Sequence, residues 1–244
     1  FSWRAGFAVL AAGATLAWVA IFVLVREAPV SHPAAPKPSV RQALREFAAL
    51  LALPHTWGIV ALAFVTYASF IAMRGLWLGP MLIEQYGFSL VQSGHVALAV
   101  SMTGLFAPPA FGRLRLHDAR ERRHWILGFT AAMALLYVVL AADPGQTASV
   151  IFIVLAAMLS GYIVLQYADV RAAYPAAQTG RAMAIFTMAM FLGIAFMQWA
   201  TGVAAAMAAE QGWPTFAAVN GLIALLLLLG AVAFALLPAH QQTR

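Results

Sequence analysis

The chain has no cysteine among its 244 residues and one lysine, Lys37. The first absence excludes disulfides, thiol catalysis and cysteine-ligated metals. The second excludes a Schiff base to retinal inside a membrane span, because Lys37 stands in a proline-rich connector. Charge is scarce: only 9% of residues are Asp, Glu, Lys or Arg, where soluble domains carry about 25%. No acid lies deep in an apolar run, and neither H-E-x-x-H nor G-x-S-x-G occurs. A membrane enzyme would therefore lack a recognisable catalytic set, and no cofactor or metal is expected.

What is present is apolar. Hydrophobic residues make up 64% of the chain, more surface than a soluble core of this size can hide. Seven runs reach the roughly 20 residues that a helical crossing requires: 5–25, 57–83, 90–111, 125–142, 147–168, 182–209 and 213–237. Period-two alternation is absent, so helices are favoured over a barrel. The expectation is an all-α integral membrane protein whose partner is the lipid bilayer.

The formal net charge of +6 does not make nucleic acid a partner, because the basic residues sit in short loops between apolar runs. One side receives Arg26, Lys37, Arg41, Arg45, Arg113, Arg115, Arg120, Arg122, Arg123, Arg171, Arg181 and Arg244; the other receives Arg4 alone. Basic loops stay cytoplasmic. The chain should therefore start outside and end inside, in a bacterial inner membrane. The first residue is Phe1, not Met, and no signal peptide is evident. Residues 1–26 read as a span, and the chain as an excerpt of a longer one.

Residues 27–55 read as a cytoplasmic linker. Pro29, Pro33, Pro36 and Pro38 make its first part stiff and extended. Ser39, with Gln42 three residues on, is a capping-box signature for an amphipathic helix over 39–53. Its apolar face is Val40, Ala43, Leu44, Phe47, Leu50 and Leu51, suited to the inner membrane surface. Pro54 should end this helix and Thr56 cap the next. Residues 56–238 then form six spans, and 239–244 a cytoplasmic tail.

Arg74 is the one charge left deep between the two sides. An arginine there costs roughly 2.5–3.5 kcal/mol on insertion scales, so it needs a partner or a water-filled cavity. Gly75, Gly79 and Pro80 follow at once and should loosen the helix, and broken helices at mid-depth bind substrate in transporters. One reading makes Arg74 a cationic anchor for an anionic solute; the other lets it snorkel to the outer interface beside Trp77. Polar or aromatic residues at comparable depth complete a candidate lining: Tyr67, Trp77, Gln92, His95, Gln198 and Asn220, with Thr187, Phe191 and Thr201 along the Gln198 seam. His95 is the candidate for proton coupling. Tyr162, Gln166 and Asp169 align at i, i+4 and i+7, and Asp169 should join Arg171, Arg181 and the basic loop in an inner charge network. Gly193 and Gly202 read as sites of close packing.

Three features resemble the major facilitator superfamily of secondary transporters. Gly112, Leu114, Asp118, Arg122 and Arg123 are similar to the family's G-x-L, acid, basic-cluster loop, although two extra residues separate Gly112 from Asp118, and Ala119 and Glu121 depart from the pattern. Arg171, Tyr174, Pro175, Gly180, Arg181 and Ala182 resemble the loop before its eleventh helix. The stretch 75–80 resembles the interrupted outer end of its seventh helix. The resemblance implies the sixth helix, the central linker and the C-terminal six-helix half of such a carrier. It implies a small-molecule substrate moved by alternating access, a gating role for the Asp169 network, and a partner in the missing N-terminal helices. A half inactive alone, a seven-helix receptor and a membrane enzyme are the alternatives.

Overall fold

The computed structural model describes residues 3–25, 39–114, 116 and 118–238. The proline-rich connector with Arg26 and Lys37, Arg115, and the tail with Arg244 lie outside the described residues. Every element among the described residues is a helix. These are α1 (Trp3–Leu24), α2 (Val40–Leu51), α3 (Pro54–Gln85), α4 (Leu90–Phe111), α5 (Ala119–Ala141), α6 (Gln146–Ala173), α7 (Ala176–Glu210) and α8 (Thr215–Leu236). All except α2 are long and apolar enough to cross a membrane.

The chain forms two compact units divided between Ala43 and Leu44. In the first, α1 carries exposed apolar side chains along its length, Phe7, Trp18 and Phe22 among them. The second holds the six-helix bundle α3–α8. There α3 packs most extensively against α7 and then α8, α8 covers α5, and α4 pairs with α6. Gly193 marks the closest approach of α7 to α3: a Cβ there would overlap the main chain of Phe64. Gly161 does the same for α6 against Ala107 of α4. Gly202, expected to pack likewise, faces open space.

Three helices begin three to six residues earlier than hydropathy suggests. α3 starts at Pro54, whose missing N–H and fixed φ suit the first helical position, so this proline opens the span as well as closing the linker helix. Thr56 is no cap; its hydroxyl donates to the Leu50 carbonyl at 2.7 Å and meets the Tyr174 hydroxyl at 2.7 Å. α5 starts at Ala119, capped by Asp118, whose carboxylate accepts from the Glu121 N–H at 3.0 Å. Arg120, Arg122 and Arg123 therefore ride the first turns of a helix and not a loop. α7 starts at Ala176 behind Pro175, so Arg181 is helical too. At about 1.5 Å per residue the 35 residues of α7 outreach the roughly 30 Å hydrocarbon core. Apolar length reports membrane depth; caps report where the helix ends.

The interruption expected at 75–80 is absent. The helix runs through it by widening: π turns at Met73–Trp77 and Met81–Gln85 flank the three residues Leu78–Pro80. The Leu78 N–H bonds Met73 O, five residues back. Such bulges absorb an extra residue, and next to Pro80 they relieve a position where the ordinary bond cannot form.

The linker helix α2 starts after Ser39, whose side chain accepts from the Gln42 N–H at 3.2 Å. Its apolar face divides. Leu50 is buried in a cluster with Ala63, Ile163, Tyr174 and Phe186, with Phe47 and Leu51 packed against it, whereas Leu44 is exposed.

Candidate functional site

The first π turn places two polar side chains on two different neighbours. Arg74 is exposed, and its Nε donates to Ser101 Oγ of α4 at 3.1 Å; that hydroxyl in turn donates to the Ala97 carbonyl at 2.6 Å. Three residues on, Trp77 Nε1 donates to Thr201 Oγ1 of α7 at 2.9 Å, with its ring edge-on to Phe216. The bulged stretch of α3 is thus tied sideways to α4 and α7. Among the described residues, the other donors of the Arg74 guanidinium have no hydrogen-bond partner.

The remaining candidates do not all converge there. Tyr67 is half-buried at the junction of the two apolar clusters. Gln92 sits in the first turn of α4, where its side chain accepts from the Ser89 N–H at 2.9 Å and completes a capping box. His95 is exposed on α4, six residues from Ser101 and so about 120° round the helix from it. Gln198 is half-buried, and its carbonyl accepts from the Thr201 hydroxyl at 3.2 Å. Asn220 is buried and donates to the Phe216 carbonyl at 2.8 Å. Thr187 and Phe191 line an open groove of about 730 Å³ along α7 with Met183 and Met188. Thr201, by contrast, is fully buried, so the seam changes surroundings along its length.

The arginine-rich end is more tightly built. Arg122 is buried, and its Nη2 lies 3.0 Å from Asp169 Oδ1, side-chain exposures being 6% and 17%. Removing so much of each charge from water is affordable only because the two meet directly. Arg123 donates to the carbonyls of Phe234 and Leu237 (2.9 Å to the latter), closing the end of α8, and its guanidinium lies 4.2 Å over the Phe234 ring. A cation there complements the negative end of the helix dipole. Arg181 pairs with Glu46 of α2 at 2.5 Å and not with Asp169. Arg171 is exposed and has no side-chain partner among the described residues. Gly112 ends α4, its N–H bonding Pro108 O at 2.9 Å. The expected single network is therefore two separate ion pairs plus a helix cap. Tyr162, Gln166 and Asp169 do share a face, and each ties α6 to a neighbour: Tyr162 to Thr130 at 2.9 Å, Gln166 to Thr66 at 3.2 Å, Asp169 to Arg122.

At the opposite end, the Tyr86 hydroxyl donates to Asp143 Oδ1 at 2.6 Å and meets Ser149 Oγ at 2.7 Å. Hydrogen bonds from Tyr86 first, and then from Gln85, hold the Asp143 carboxyl below its ordinary range. Burial, and then the Asp143 contact, push Tyr86 up. Asp143 adopts φ 48°, a left-handed conformation that Asp tolerates better than most residues. Sequence reasoning passed over this cluster, along with Ser101 and Glu46. A Tyr just past one span and an Asp-Pro-Gly turn after another carry no shared periodicity to flag them.

A bundle of helices this long and apolar defines a polytopic membrane protein. A sequence profile of the Major Facilitator Superfamily matches residues 1–197, and the chain belongs to that family. It is an integral membrane protein and a secondary transporter, as the family's members are. No curated protein matches the sequence.

Proposed function

We propose that the chain carries a small organic or inorganic anion by alternating access, with Arg74 as the anchor for the anionic group. The single observation behind this reading is the position of Arg74. It is a lone arginine a few residues past the midpoint of an apolar span, it is exposed, and among the described residues one neutral hydroxyl is its hydrogen-bond partner. A planar guanidinium with spare donors suits a carboxylate or phosphate group. Tyr67, Trp77, Gln92, His95, Gln198 and Asn220 are the proposed lining or its support, and His95 the proposed proton-coupling group. Asp118, Arg122, Arg123, Asp169, Arg171 and Arg181 lie at the proposed cytoplasmic end, with the first residue outside and the last inside. A second set of helices of the same transporter completes the cavity.

Uptake over a panel of carboxylates and neutral solutes tests the anchor. Arg74→Leu should lower anion uptake by about tenfold or more, the loss of a charge-assisted hydrogen bond of roughly 1.5–3 kcal/mol, while Arg74→Lys retains part of it. Unchanged anion uptake in Arg74→Leu would refute the assignment.

A further inference from the structure

The arginine-rich end of the bundle encloses a cavity of about 360 Å³ with His55, Asp118, Arg120, Arg122, Arg123 and Asp169 in its wall. Both carboxylates are already engaged: Asp169 by Arg122 at 3.0 Å, and Asp118 by the Glu121 N–H at 3.0 Å. Three guanidiniums against two carboxylates leave the cavity with an excess positive charge. That charge belongs to Arg120, which is exposed and whose side chain has no partner among the described residues. Arg123, next to it in the wall, is turned onto the carbonyls of Phe234 and Leu237. The remaining wall is apolar, made by Ile59, Ala172, Ala173 and Pro238. A cationic rim and an apolar wall at the end of membrane-spanning helices suit a molecule with a phosphate at one end and hydrocarbon at the other. Free phosphate would gain nothing from the apolar wall.

We propose that this cavity binds the phosphate group of an anionic phospholipid from the adjacent leaflet, with Arg120 as its principal contact and Arg123 beside it. The site is separate from Arg74 and stands whatever solute is carried. A lipid held there bridges the starts of α3 and α5 to the end of α6 and to Pro238 just past α8, all of which contribute to the wall.

The test is native mass spectrometry of the full-length transporter taken from bilayers of phosphatidylglycerol mixed with phosphatidylcholine. The wild type should retain phosphatidylglycerol in preference to phosphatidylcholine. Arg120→Gln should lower that retention about fivefold, the fold-change for about 1 kcal/mol per basic residue near the surface, and Arg120→Lys should preserve it. Arg113→Gln, which removes an exposed arginine outside the cavity, should leave it unchanged. Millimolar inorganic phosphate should not displace the lipid. Equal retention of the two lipids by the wild type, or equal losses in Arg120→Gln and Arg113→Gln, would overturn the proposal. Displacement by inorganic phosphate would overturn it as well and mark a free-phosphate site instead.

Discussion

The two ends of the α3–α8 bundle are fastened by different chemistry. At the arginine-rich end the ties are ionic or charge-assisted: Arg122 with Asp169, Arg181 with Glu46, and Arg123 with the end of α8. At the other end they are the hydroxyl contacts of Tyr86 with Asp143 and Ser149. The same division runs along α3, which is regular from Pro54 to Ala72 and π-turned beyond it. The buried Arg122–Asp169 pair cannot separate without a large penalty, whereas the exposed Tyr86 contact with the Asp143 carboxylate exchanges for water at about 1–3 kcal/mol. The difference sets an end of the bundle held by a buried ion pair against one held by an exposed hydroxyl contact. On the alternating-access reading proposed above, the π-turned part of α3 is then the element expected to move.

The largest effect expected is at the ion-paired end. Asp169→Asn should destabilise the folded protein by about 3 kcal/mol, because it strands the Arg122 charge in a buried site. Replacing both partners, as Arg122→Met with Asp169→Leu, should recover most of that loss in a denaturant titration. Equal losses for the single and double variants would remove charge from the explanation. Next is the crossing of α3 and α7: Gly193→Ala should cost about 1–3 kcal/mol by overpacking against Phe64, whereas Gly202→Ala, facing open space, should be neutral or slightly stabilising. Comparable melting shifts in the two would contradict the packing described.

A smaller effect is expected at the hydroxyl-tied end. Tyr86→Phe should remove about 1 kcal/mol and, with it, an acid-dependent component. Because Asp143 is held below its ordinary range, its contribution is complete above the unfolded carboxylate value of about 3.9 and fades as pH falls through the lower folded value. The stability–pH curve of the wild type should therefore drop on the acid side more steeply than that of Tyr86→Phe. Parallel curves would deny Asp143 this role. The smallest effect belongs to Arg171→Gln, which removes an exposed side chain and should change stability by less than about 0.5 kcal/mol.

Much of this was legible in the chain. The seven crossings follow from apolar length, and the Tyr162–Gln166–Asp169 stripe from helical spacing, but its partners Thr66 on α3 and Thr130 on α5 did not. The errors share a cause. Hydropathy cannot see polar turns that project past the membrane, so Arg120, Arg122, Arg123 and Arg181 read as loop residues when they are helical. Nor does spacing reveal partners far apart in the chain, such as Arg181 with Glu46 or Arg74 with Ser101. Pro80 with its glycines read as a break, because composition alone does not distinguish a broken helix from one that widens into π turns. The capping role of Gln92 was masked by its distance from the residues thought to share its cavity, although Ser89 three residues before it is the signature.

The contrast between the two ends requires that they face different compartments, and the absence of cysteine makes this directly measurable. Single cysteines at Arg113 and at Pro144, both exposed, should react with a membrane-impermeant maleimide from opposite sides, position 113 from the cytoplasm and position 144 from outside. Labelling of both from one side would contradict the threading on which this account of the carrier depends.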